Sequence, residues 1–107
     1  MISTIKSYVG YAIRSSNALF GVNNITSTFG VKLPQVILYD ALLSENSKDK
    51  LLLFANKNGI KVFCADIEEI YPNKNCKAIG IKEKNLSTAI IKEMEEFSKW
   101  VIIIGQS

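Results

Sequence analysis

Hydrophobic and polar positions alternate along this chain with two different periods. Ile2, Ile5, Val9, Ala12 and Ile13 recur at helical spacing, with Lys6 and Arg14 off that face, which predicts an amphipathic helix over residues 2–14. Ser15, Ser16 and Asn17 break it. A short strand, Ala18 to Phe20, then stops at Gly21. Asn23 is placed to cap a second helix through its side-chain oxygen, with Ile25 and Phe29 facing inward and Gly30 and Pro34 as stops.

The run from Gln35 to Asp40 is nearly continuous apolar, the pattern of a strand buried on both faces. A helix follows, capped by Ser44 or Asn46, with Leu51, Leu52, Phe54 and Ala55 inward and Asn58-Gly59 ending it. Ile60 to Ala65 is the next strand, Asp66 caps a short helix closed by Pro72, and Ala78 to Ile81 is the last strand. The final helix carries Leu86, Ala89, Ile90, Met94 and Phe97 on one stripe. The tail, residues 100–107, reads as an extra edge strand or as a segment docking on its own chain or on a neighbour. Strands and helices therefore alternate, which predicts one α/β domain over 1–107, a sheet sandwiched between helices.

Composition narrows the chemistry. The 107 residues are 48% hydrophobic and 21% charged, ordinary for one globular domain and wrong for a disordered chain. The net charge of +3 permits contact with phosphate without demanding it. The opening residues lack the apolar run of a secretory leader, and no segment reaches the ~18 apolar residues of a membrane span. Cys64 reads as a small buried hydrophobe and Cys76 as a loop residue, which suits a reducing, cytoplasmic setting.

Histidine is absent, which removes the commonest general base and metal ligand. No Gly-rich phosphate cradle is present. Asp40 is a strand-end cap, because a phospho-acceptor site needs further acids near it. Asp66, Glu68 and Glu69 read as first-turn acids favouring a helix dipole. No catalytic constellation, cofactor or metal is expected.

One segment stands apart. Ser15 to Val31 holds no charged residue, with Gly21-Val22-Asn23-Asn24 at its centre. A strand entering a helix there exposes backbone N–H groups, which favour anions. Asparagine carboxamides both donate and accept, and so can pair with base edges.

The order of elements and this corner together resemble the kink-turn-binding ribosomal protein family, the large-subunit "seven-Ae" type, over residues 4–97. The resemblance rests on the opening helix ending AIRSSNALFG, the GVNN corner, the strand-helix-strand PQVILYDALLSENSKDKLLLFANKNGIKVF and the closing AIGIKEKNLSTAII. It implies a three-layer α-β-α sandwich with a four-stranded mixed sheet, and RNA as the partner. The family corner reads Gly-x-Asn-Glu with Lys three residues on. Gly21 and Asn23 match, while Asn24 and Ser27 stand where the family has Glu and Lys. The second family contact, the loop before the last strand, corresponds to Pro72 through Lys77.

The expectation is thus a non-enzymatic, cytoplasmic RNA-binding protein. Gly21, Val22, Asn23 and Asn24 contact bases and sugar-phosphate, and Ser27, Lys32, Asn73, Lys74 and Lys77 position the RNA backbone. The alternative is a diverged relative without RNA binding, a protein-interaction module or homodimer using the corner and the apolar tail Trp100 to Ile104.

Overall fold

The computed structural model describes the backbone of residues 2–72 and 76–106 and the side chains of residues 4–72 and 76–96. Its elements run α1 (Ile2–Arg14), β1 (Ala18–Phe20), α2 (Val22–Thr26), a 3-10 turn (Gly30–Lys32), β2 (Val36–Tyr39), α3 (Glu45–Asn58), β3 (Lys61–Cys64), α4 (Ile67–Ile70), β4 (Ala78–Ile81) and α5 (Lys84–Gln106).

The four strands form one mixed sheet in the order β1-β4-β2-β3. β4 runs antiparallel to both β1 and β2, while β2 and β3 are parallel. Alternation along the strands sends residues to opposite faces. Val36 and Leu38, with Ile79 and Ile81, pack under Ile5 and Val9 of α1, Ile67 and Ile70 of α4, and Ile90 and Met94 of α5. Ile37 and Ala78 face the other way, against Ile25 of α2 and Leu51 and Ala55 of α3. Helices thus cover both faces, and the α-β-α sandwich with a four-stranded mixed sheet is what the chain adopts.

Local chemistry explains most boundaries. Ser44 caps α3 by accepting from the Ser47 N–H, and Gly59 ends that helix in the left-handed region at φ 67°. Asp66 caps α4 by accepting from the Glu69 N–H. Asp40 does more than cap its strand. It is 7% exposed, and its two carboxylate oxygens accept from the Leu42 N–H at 2.9 Å and the Ile67 N–H at 3.1 Å. It thereby ties the end of β2 to the start of α4.

Several expectations are corrected. α2 begins at Val22, one residue before Asn23, with Gly21 at its cap position and no side-chain capping bond. α2 ends at Thr26, where Ser27 takes over, so Phe29 lies beyond the helix and is 78% exposed. Gly30 opens the 3-10 turn and terminates no helix. Leu52 is exposed, one helical step round from the buried Leu51. Cys64 is exposed because it ends β3, an edge strand paired only with β2, and no disulfide joins it to Cys76. The expected edge strand at residues 100–107 is absent, since α5 continues as helix through Gln106. Asn73 and Lys74, and the side chains of Ile2, Phe97 and the tail, lie outside the described residues.

Candidate nucleic-acid interface

The uncharged corner begins with a backbone that only glycine tolerates well. Gly21 sits at φ 88°, ψ 150°, a region that other residues enter at a cost of about 1–3 kcal/mol. Its N–H donates to the Ala78 carbonyl at 2.9 Å, and its own carbonyl accepts from the Ile25 N–H at 3.1 Å. Helical bonding therefore starts at Ile25, and the N–H groups of Val22, Asn23 and Asn24 occupy the open first turn. α2 has only five residues, so its dipole is small and any anion held here needs side-chain charge.

That charge comes from α3. The Lys50 ammonium donates to the Asn23 carboxamide oxygen at 2.9 Å. Among the described residues Lys50 has no carboxylate partner, so its positive charge stays uncancelled beside the corner. Lys48 lies over the Tyr39 ring at 5.8 Å, at the end of β2. Lys77 immediately precedes Ala78, which bonds Gly21, and the Lys77 carbonyl accepts from the Asp40 N–H. The fold thus gathers three lysines around one end of the sheet.

The two asparagines divide their work. The Asn24 amide donates to the Phe20 carbonyl at 2.7 Å, fastening the corner to the end of β1. A glutamate cannot donate that bond, so Asn at this position is tied to the local fold. Its carboxamide oxygen remains as an acceptor. Asn23 is exposed, with its oxygen turned to Lys50 and its amide left as a donor. The Ser27 hydroxyl donates to the Asn24 carbonyl at 3.1 Å and so closes on its own helix. Lys32 belongs to the segment that carries the chain to the opposite end of the sheet, where Gln35 N–H meets the Ile81 carbonyl. The structure therefore unites Gly21, Val22, Asn23 and Asn24, joins Lys77 to them only through its backbone neighbour Ala78 while Lys77 borders the cavity with Asp40 and Asp66, and sets Lys32 apart. Lys50 and Lys48 escaped the sequence reading. No local pattern marks a contact between residues 27 positions apart, which exists only because α2 packs on α3.

A second concavity opens at the same end of the sheet. The connections after β2 and β3 depart to opposite faces, the arrangement that leaves a crevice at strand carboxyl ends. A cavity of about 670 Å³ lies there, lined by Ile5, Leu42, Cys64, Lys77 and Met94 among others. Asp40 and Asp66 also border it, and each already accepts from backbone N–H groups. Among the described residues no three potential metal ligands converge.

No family model and no curated protein matches this chain. The fold is shared with a solved structure of a protein of unknown function from Bacillus halodurans, at a TM-score of 0.73 and 18% identity. The match covers 85% of this chain and 96% of that one. At that identity the likeness speaks to the fold alone. Among the described residues no helix is long and apolar enough to cross a membrane.

Proposed function

We propose that the chain is a non-enzymatic RNA-binding protein similar to the kink-turn-binding ribosomal proteins, acting in the cytoplasm and reading RNA at the Gly21–Asn24 corner. The observation that carries this reading is the contact between Lys50 and Asn23 in a corner free of carboxylates. The donors of Val22, Asn23 and Asn24 face base edges and sugar oxygens, and Lys50, Lys77 and Lys48 meet phosphates. Lys50 supplies the cation that the family places where this chain has Ser27. Asn73 and Lys74 belong to the same reading as loop contacts. Phosphate contacts set register, while the carboxamides carry the discrimination. With about three or four phosphates neutralised, log affinity falls against log salt with a slope of roughly −2 to −4.

Titration against a short kink-turn RNA and a matched plain duplex, at two salt concentrations, tests this. The expected result is preference for the kink-turn, a steep salt response, and loss of the preference in Asn23→Ala. Equal affinity for both RNAs with a flat salt response overturns it. Absence of binding at low salt would favour the second reading, a protein-interaction module, which the outward-facing Phe29 and Val31 beside α2 support.

A further inference from the structure

The formal net charge of +3 sits entirely on the first 39 residues. They hold Lys6, Arg14 and Lys32 and no acidic residue, while the rest of the chain is balanced, ten bases against ten acids. Such asymmetry points to an anionic partner for the basic part. Lys32 is carried to the far end of the sheet. Lys6 and Arg14 both belong to α1.

α1 turns Ile5, Val9 and Ala12 into the core. Lys6, Gly10, Ile13 and Arg14 fall on the adjoining stripe, at helical spacings of three and four residues. A groove of about 400 Å³ runs between this stripe and the end of α4, where Ile70, Tyr71 and Pro72 form the opposite wall. Arg14 folds back along the helix over Gly10, where a β-carbon would stand 3.4 Å from its Nη1. Its guanidinium also lies over the Tyr11 ring, 5.7 Å from the centroid. Among the described residues neither Lys6 nor Arg14 has an ion-pair partner, and no carboxylate lines the groove. The acids of α4 stand apart: Glu68 borders the 670 Å³ cavity, and Glu69 lines neither concavity.

This groove is continuous with the uncharged corner. The half-buried Tyr71 on its wall stacks on the Phe20 ring, 5.3 Å between centroids. The Phe20 carbonyl accepts from the Asn24 amide, and Gly21 is the next residue. β1 is an edge strand, so no further strand stands outside it. A polymer leaving the corner over the β1 edge meets Tyr71 and then the two cations of α1.

We propose that the groove between α1 and α4 holds a single-stranded segment of the RNA that flanks the kinked site. The proposal rests on the reading of the Gly21–Asn24 corner and extends it. Lys6 and Arg14 meet phosphates of the segment, and an unpaired base lies against Ile13, Tyr71 and Pro72. A basic groove paired with an aromatic platform is how proteins hold unpaired strands. A duplex gains nothing from such a wall, because its bases are already stacked on one another.

The test compares the affinity of a short kink-turn RNA with that of the same RNA carrying a short single-stranded oligoadenosine extension on each strand end in turn. A third set has the extension paired to a complementary strand. The single-stranded extension at one end is expected to tighten binding by ~5-fold or more and to steepen the salt slope by about 1.4, the share of two single-strand phosphates. Lys6→Gln/Arg14→Gln changes two exposed positions, so the circular dichroism melt is retained. That variant loses the gain and leaves affinity for the bare kink-turn within about two-fold, since exposed charges this far from the corner are screened. The inference is overturned by a gain absent at every end, matched by the paired extension, or surviving in the double variant. In those cases bare kink-turn binding that still falls with Asn23→Ala keeps the corner reading in place. Failure of the wild type to bind any of these RNAs overturns both.

Discussion

Two strand-to-helix corners sit at the same end of the sheet and solve the same problem differently. Where β3 turns into α4, carboxylates satisfy the backbone: Asp66 accepts from Glu69 N–H, and Asp40 accepts from Ile67 and Leu42 N–H. Where β1 turns into α2, no side chain caps the helix, and Gly21 makes the turn with backbone alone. The acid-capped corner is finished internally, and its negative charge repels phosphate. The glycine corner leaves first-turn donors open and has Lys50 beside it. Within one fold, capping chemistry thus decides which corner builds the domain and which is left for a ligand.

The largest effect expected from separating the two corners is at Asp40. Asp40→Ala leaves two backbone N–H groups without their acceptor, which costs about 2–4 kcal/mol in urea unfolding. RNA affinity of the folded fraction stays unchanged. Gly21→Ala comes next, with about 1–3 kcal/mol lost to the forced backbone. Here both the melt and kink-turn binding fall together. Asn23→Asp carries the chemistry of the capped corner into the open one. The melt holds or rises slightly, because the new carboxylate faces Lys50 and the start of α2. RNA affinity drops by ~10-fold or more, since a charge now repels the backbone and cancels the lysine. The mildest change is Lys50→Ala, expected to weaken binding a few-fold and to reduce the salt slope by about 0.9 while leaving the melt in place.

Legibility in the sequence followed the range of the interactions. Ser44, Asp66 and Gly59 act within three or four residues of themselves; Asp66 and Gly59 could be read directly, and the α3 cap was narrowed to Ser44 or Asn46, of which Ser44 holds it. The buried strand β2 was equally plain, because its apolar run is covered on both faces. Cys64 misled because an edge strand has the same composition as a central one, and strand order is not a local property. Asn23 misled because asparagine is a good cap, yet Gly21 reaches the cap position first with a conformation asparagine tolerates poorly. At the candidate site, Gly21, Asn23 and Asn24 were visible as an uncharged motif. Lys50 was not, because its nearness depends on how α2 lies across α3. Lys32 was close in sequence and remote in space, for the converse reason.

The most direct measurement is to map kink-turn RNA onto the isotope-labelled chain by backbone amide chemical shifts. Val22, Asn23, Asn24, Lys50 and Ala78 should move on titration, while Ile67 to Ile70 of the acid-capped corner stay still. Shifts concentrated on α4, or none at the Gly21–Asn24 corner while RNA is bound, would contradict the division of labour between the two corners.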